Sequence, residues 1–171
     1  MASIQEDLKT NLLKRDINFI PMTNAGCDFL EIDDGTTCNK KIFDNRQKKI
    51  DQKLGSTIIF HLNYIQAKDD DVFFNESFKK KINFYLKKNY KIILIYPIPY
   101  LDENVSMEIE KNLIDKKNRF NFVNIDFKRF LKESEKISTL LDTLNHENIY
   151  KVYPHKKFCN TELIEKCVGN T

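Results

Sequence analysis

The sequence predicts an α/β fold, with a three-layer, doubly wound and mostly parallel sheet. Three observations predict it. The first is the stretch Lys91-Ile92-Ile93-Leu94-Ile95-Tyr96-Pro97, a nearly continuous apolar run rich in β-branched residues. A strand buried on both faces reads this way, because both sets of side chains must be apolar. Pro97 and Pro99 then close the ladder. The second is the amphipathic pattern just before it, 75–88, with Phe78, Ile82, Tyr85 and Leu86 on one side. The third is that helix-then-strand recurs along the chain, which is the repeating unit of an open α/β sheet. Ligands in such folds sit outside the carboxyl ends of the strands, so the loop 97–104 is expected to border any site.

Each element has its own local reason. Ser3 and Glu6 fit a capping box, with Ser3 as N-cap, and Ile4, Leu8 and Leu12 continue an apolar stripe to about Lys14. Ile17, Phe19 and Ile20 suggest a short strand over 16–21. A loop follows with Gly26, which is free to take unusual dihedrals, and 28–37 is acidic and turn-rich. Ile42, Phe43, Arg46, Ile50 and Leu54 are spaced for a helix over 40–54, stopped by Gly55. Residues 57–62 form the next expected strand, pairing in parallel with 91–95. The run Asp69-Asp70-Asp71 lacks the alternating ligands and glycine of a calcium loop and reads as a solvated turn. A helix is expected over 105–116 and a short strand or extended segment over 122–125. The longest helical pattern, 127–144, carries Phe130, Leu131, Ile137, Leu140, Leu141 and Leu144 as its stripe. Residues 149–153 form the last strand, ended by Pro154. The pattern begins on a helix where α/β folds usually begin on a strand, so the domain is expected to start late.

Bulk properties narrow the class. The 171 residues suit one domain, 1–171, with a sizeable core. Hydrophobic content of 41% and charge of 31% are those of an ordinary globular chain. The net charge of +3 is spread among nearly as many acids as bases, which argues against nucleic acid as a partner. No apolar run approaches the roughly 20 residues that span a bilayer. Residues 1–13 read as an amphipathic helix, so no signal peptide is expected. Nothing in the sequence calls for a metal or a cofactor.

The four cysteines fall into two local pairs, Cys27 with Cys38 and Cys159 with Cys167. Neither pair has CxxC spacing. Two short-range disulfides are the simplest reading and require an oxidising compartment; four free thiols in a reducing one are the alternative.

Three features together resemble the SGNH hydrolase-like domain fused to membrane acyltransferases that modify bacterial surface polysaccharides. They are the segment Thr23-Asn24-Ala25-Gly26-Cys27 with Cys38 downstream, the strand 57–62 with Asn63 past its end, and the last strand leading through Tyr153-Pro154 to Phe158-Cys159 and Cys167. The resemblance implies an SGNH/flavodoxin-like sheet and a serine acyl-enzyme, with histidine as base and aspartate as its orienter. It makes Gly26 and Asn63 the candidates for binding the oxyanion, although Leu62-Asn63-Tyr64 departs from the family's GxND block. It implies a surface-glycan acceptor such as lipopolysaccharide, an acyl donor, a fused or associated membrane acyltransferase domain, and a periplasmic or otherwise extracytoplasmic location in a membrane-bound bacterial protein. The nucleophile's GDSH block would precede Ser3 and the DxxH block would follow Cys167. The domain is therefore expected to be truncated at both ends, with no catalytic residue present and no activity of its own.

The histidines do not replace those blocks. His61 lies in a strand and reads as a core or pocket residue. Asp142 and His146 have the wrong spacing for DxxH, and His146 at a helix end reads as a partner of the dipole. His155 can approach a site but has no aspartate three residues before it. Tyr96, Tyr100 and Tyr153 at strand ends can contact a sugar or simply fill space. The resulting reading is a fragment of an extracytoplasmic SGNH-type O-acyltransferase or esterase domain. The alternative is a non-catalytic α/β module that binds glycan or protein.

Overall fold

The computed structural model describes residues 2–22, 39–61, 72–99, 124–161 and 164–168. The chain divides into two compact units, residues 1–53 and 54–171.

The first unit holds two helices, α1 (Ala2–Leu13) and α2 (Lys40–Asp51). Because α1 already begins at Ala2, Ser3 lies inside its first turn. An N-cap needs non-helical backbone, so the capping reading of Ser3 gives way. The helix ends in a Schellman turn: Asp16 takes φ 59°, its N–H donates to the Leu13 carbonyl, and the Ile17 N–H reaches back to Leu12 at 2.9 Å. That turn spends the first donor a strand would need. The expected strand over 16–21 does not form, and Ile17 and Ile20 stay about half-exposed. Asn39 caps α2 by accepting the Ile42 N–H at 3.2 Å, and Phe43 is buried under the Arg46 guanidinium. α2 stops three residues before the expected Leu54. The chain then turns through Gly55, whose φ of 77° favours glycine.

The second unit is built on three parallel strands, β1 (Thr57–His61), β2 (Lys91–Ile95) and β4 (Ile149–Val152), in the order β1-β2-β4. The register sets Phe60 beside Leu94 and Ile92 beside Ile149. β2 is thus the centre of the described sheet and pairs with β1 in parallel, as the apolar run predicts. Between β1 and β2 runs α3 (Val72–Lys87), and α4 (Phe127–Asp142) precedes β4. Phe60 meets Phe78 and Tyr85 of α3, and the Tyr96 hydroxyl meets Asp142 of α4. Both helices therefore lie on one face of the sheet. Right-handed crossovers that step in one direction across a sheet give this placement. On that face Ile92, Leu94, Phe78 and Ile82 are fully buried. On the other, Ile93 and Ile95 are only partly buried, and Ile59, Tyr150 and Val152 are exposed.

α3 ends in a second Schellman turn, with Asn89 at φ 60° and the Tyr90 N–H on the Tyr85 carbonyl. The apolar contact that accompanies this motif is Tyr90 against Tyr85, edge to face at 5.7 Å. The cap therefore locks α3 to the strand that follows it.

The segment expected near 122–125 becomes β3 (Asn124–Asp126), but it does not join the parallel sheet. It pairs antiparallel with β5 (Lys166–Val168) in the tail. The reason lies in the cysteines. After a four-residue helix α5 (His155–Phe158), Cys159 bridges to Cys167 in β5 at a sequence separation of 8, which brings the tail back onto the start of α4. Asn160 closes the intervening loop, its side chain accepting the Glu165 N–H at 2.7 Å. Phe130 and both cysteines form a small separate core there, with Phe127 against it.

Candidate functional site

The carboxyl ends of β1, β2 and β4 meet along one edge, which is where an open α/β sheet offers a site. Register places His61, Ile95 and Val152 in one row across that edge. Directly beyond it, Tyr96 follows β2 and Tyr153 follows β4, and their rings pack 4.3 Å apart. The Tyr96 N–H donates to the Val152 carbonyl at 2.9 Å, so the ladder extends one step past the strand and fixes the first tyrosine. The second is framed by His155, edge to face at 6.0 Å, and by the Lys156 ammonium 4.3 Å above its ring. Phe130 backs His155.

Burial at the edge favours the neutral forms of Tyr96, His155 and His61. Burial, helped by hydrogen bonding to Asp142 and Tyr153, pushes the Tyr96 phenol far above the ordinary tyrosine range. The hydroxyl therefore stays protonated and donates to Asp142 Oδ1. Burial pulls His155 below the ordinary histidine value, and the neighbouring Lys156 charge adds to the effect. Burial likewise lowers His61, although that residue stands at an exposed strand end. A neutral imidazole can accept a proton, so both histidines are competent bases in chemical type.

The fold brings some of the candidates together and separates others. Tyr96, Tyr153 and His155 form one cluster. His61 does not belong to it: it alternates with Phe60 and so faces the side of the sheet away from α3 and α4. It is also two strand spacings from β4, roughly 9–10 Å. His146 is not a partner of the helix end through Nδ1, because that atom accepts the Asn148 N–H at 3.1 Å. Gly26 and Asn63, Cys27 and Cys38, and Tyr100 lie outside the described residues, as does the helix expected over 105–116. Asp142 as the partner of Tyr96 was not legible in the sequence, since 46 residues separate the two.

A family profile described as "SGNH domain (fused to AT3 domains)" matches residues 1–168. The chain belongs to this family. The parallel three-stranded sheet with its helices is consistent with that membership. The family description couples the SGNH domain to AT3 domains, so its members adjoin a membrane acyltransferase region. Among the described residues no helix is long and apolar enough to cross a membrane. No curated protein matches the chain. No solved structure matches it.

Proposed function

We propose that this SGNH domain works in an extracytoplasmic O-acyltransferase or esterase that modifies cell-surface glycans through a serine acyl-enzyme. The family match over residues 1–168 carries the proposal. The sheet edge supports it: Tyr153, partly buried, joins Tyr96 and His155 in an aromatic cluster beside the Lys156 cation at the carboxyl ends of the strands, where an open α/β sheet receives its ligand. The disulfide Cys159–Cys167 supports an oxidising, extracytoplasmic setting. The 171 residues contain neither GDSH nor DxxH. In this reading the nucleophile and base come from adjoining sequence, while Gly26 and Asn63 stabilise the oxyanion by a backbone N–H and a side-chain amide.

The absence of both motifs from these residues also favours a second reading, a non-catalytic α/β module that binds glycan or protein. Turnover of 4-nitrophenyl acetate separates the two. The 171-residue chain is expected to be inert, and a longer polypeptide with its natural flanking residues is expected to turn over. Asn63→Ala in that longer protein should lower kcat by roughly 10²–10³, the usual loss for one oxyanion donor. Full activity of the variant would remove Asn63 from the site. An inert long protein would favour the binding module.

A further inference from the structure

A concave site lies at the other end of β4 from Tyr153. It is a cleft of about 270 Å³ between α3 and the α4–β4 connection. Lys79, Asn83 and Leu86, spaced by four and three, form the α3 wall; Thr143 to His146 form the other, with Ile149 at the base. Leu86, Leu144 and Ile149 supply its apolar lining, and the other lining side chains are polar.

Several rim groups are already committed. Thr143 Oγ1 donates to the Leu140 carbonyl at 2.7 Å. Asn145 Oδ1 accepts from Lys151, and both Asn145 and Lys151 donate to the Asp142 carbonyl. The carbonyls that make a helix C-terminus electronegative are thereby covered. What the cleft presents outward is the Lys79 ammonium, the Asn83 amide and His146. Because His146 Nδ1 accepts the Asn148 N–H, its Nε2 carries the hydrogen of the neutral ring and is a donor. α3 also contributes Lys80, Lys81 and Lys87 against one acid, Glu76. Glu147 follows His146 but does not line the cleft.

We propose that this cleft binds one acidic sugar residue, a saccharide ring bearing a carboxylate, as a docking point for a glycan chain apart from the sheet edge. The saccharide half of the proposal rests on the glycan reading above; the anionic half rests on Lys79 and its helix. A small hydrated anion gains nothing from the apolar lining, whereas a pyranose ring has an apolar face to set against Leu86 and Ile149. The volume lies just below the roughly 300–1,000 Å³ of ligand pockets, which suits one ring with the chain leaving through the open mouth. Lys79 supplies a point charge to the carboxylate, and Asn83 and His146 donate to ring hydroxyls.

The test is a titration of the isotope-labelled 171-residue protein, followed by NMR, with trigalacturonate, maltotriose and inorganic phosphate in parallel. Trigalacturonate should shift the Asn83 side-chain amide and the His146 ring saturably. Lys79→Met, which keeps the aliphatic stem, should weaken it roughly tenfold, the loss expected for one charge-assisted bond. Asn83→Ala, at an exposed helix position that cannot disturb the core, should weaken it as well. Maltotriose and phosphate should bind much more weakly. Shifts spread over all the α3 lysines and indifferent to Lys79→Met would overturn the site. Equal binding of maltotriose would overturn its charge selectivity, and equal binding of phosphate would reduce it to a simple anion site. No turnover is read, so loss of this site and loss of the acyl-transfer reading remain distinguishable.

Discussion

The parallel sheet with α3 and the disulfide-closed tail are held by different physics within one unit. In the sheet region Phe78, Ile82, Tyr90, Ile92 and Leu94 are all 0% exposed, and the C-terminal cap of α3 feeds directly into that core. In the tail the buried cluster among the described residues is Phe130, Cys159 and Cys167, with Phe127 partly buried against it. Its other ties include β3–β5 pairing, the Phe127 N–H on the Glu165 carbonyl, the Asn160 hydrogen bonds, and exposed ion pairs such as Lys128–Glu165 at 3.2 Å. Exposed pairs of that kind contribute little. Where apolar area is plentiful, side-chain volume holds the structure. Where it is scarce, a covalent closure takes over.

The largest expected effect breaks the sheet side of this comparison. Leu94→Asp places an unpaired charge at a fully buried position in β2. It should cost at least about 4 kcal/mol, a large share of the roughly 5–15 kcal/mol that keeps a domain folded. Circular dichroism should show an unfolded or molten chain. A cooperative transition near the wild-type Tm would show that β2 is not central.

The next breaks the tail side. Replacing Cys159 and Cys167 together by serine should cost roughly 2–3 kcal/mol in the chain-entropy account of a short closed loop. Hydrogen exchange should rise in β3, β5 and α5 while amides of β1 and β2 keep their protection. Uniform loss of protection would mean that the two regions are one cooperative unit.

A smaller effect sharpens the comparison at the boundary. Tyr96→Phe removes one hydrogen bond to Asp142, a net cost of about 1 kcal/mol. The sign of its pH dependence is fixed. Tyr96 keeps its proton where an unfolded tyrosine loses it, so the stability it contributes is present below about pH 10 and is lost as pH rises above that. Denaturant midpoints between pH 8 and 11 should fall in the wild type and fall less in Tyr96→Phe.

The smallest effect lies at the acid end. His61 and His155 bind a proton less readily folded than unfolded, so their contribution is full above about pH 6.5 and declines as pH falls below it. His155→Gln should flatten part of the decline in Tm between pH 7 and 5. An unchanged slope would assign the decline to other groups.

The sequence by itself determined the central strand, its parallel partner, the core face of α3, that of α4 except for Leu131, which is exposed, and the close pairing of Cys159 with Cys167. These are local or periodic properties: an apolar run, a three-four spacing, two thiols eight residues apart. The family membership was legible for the same reason, as ordered short motifs along one chain. Tertiary structure alone decided the rest. The pattern at 16–21 looks like a strand, but Asp16 can adopt a left-handed turn, and a hydrogen bond back to Leu12 takes the donor that pairing would have used. Residues 122–125 read as a short strand or extended segment, and the structure makes a strand of 124–126. They pair with the tail because the disulfide loop delivers β5 beside them. The joining of Tyr96 to Asp142 and Tyr153 depends on how helices cross a sheet. Side-chain partners chosen across such distances follow from packing geometry, which no periodicity along the chain encodes.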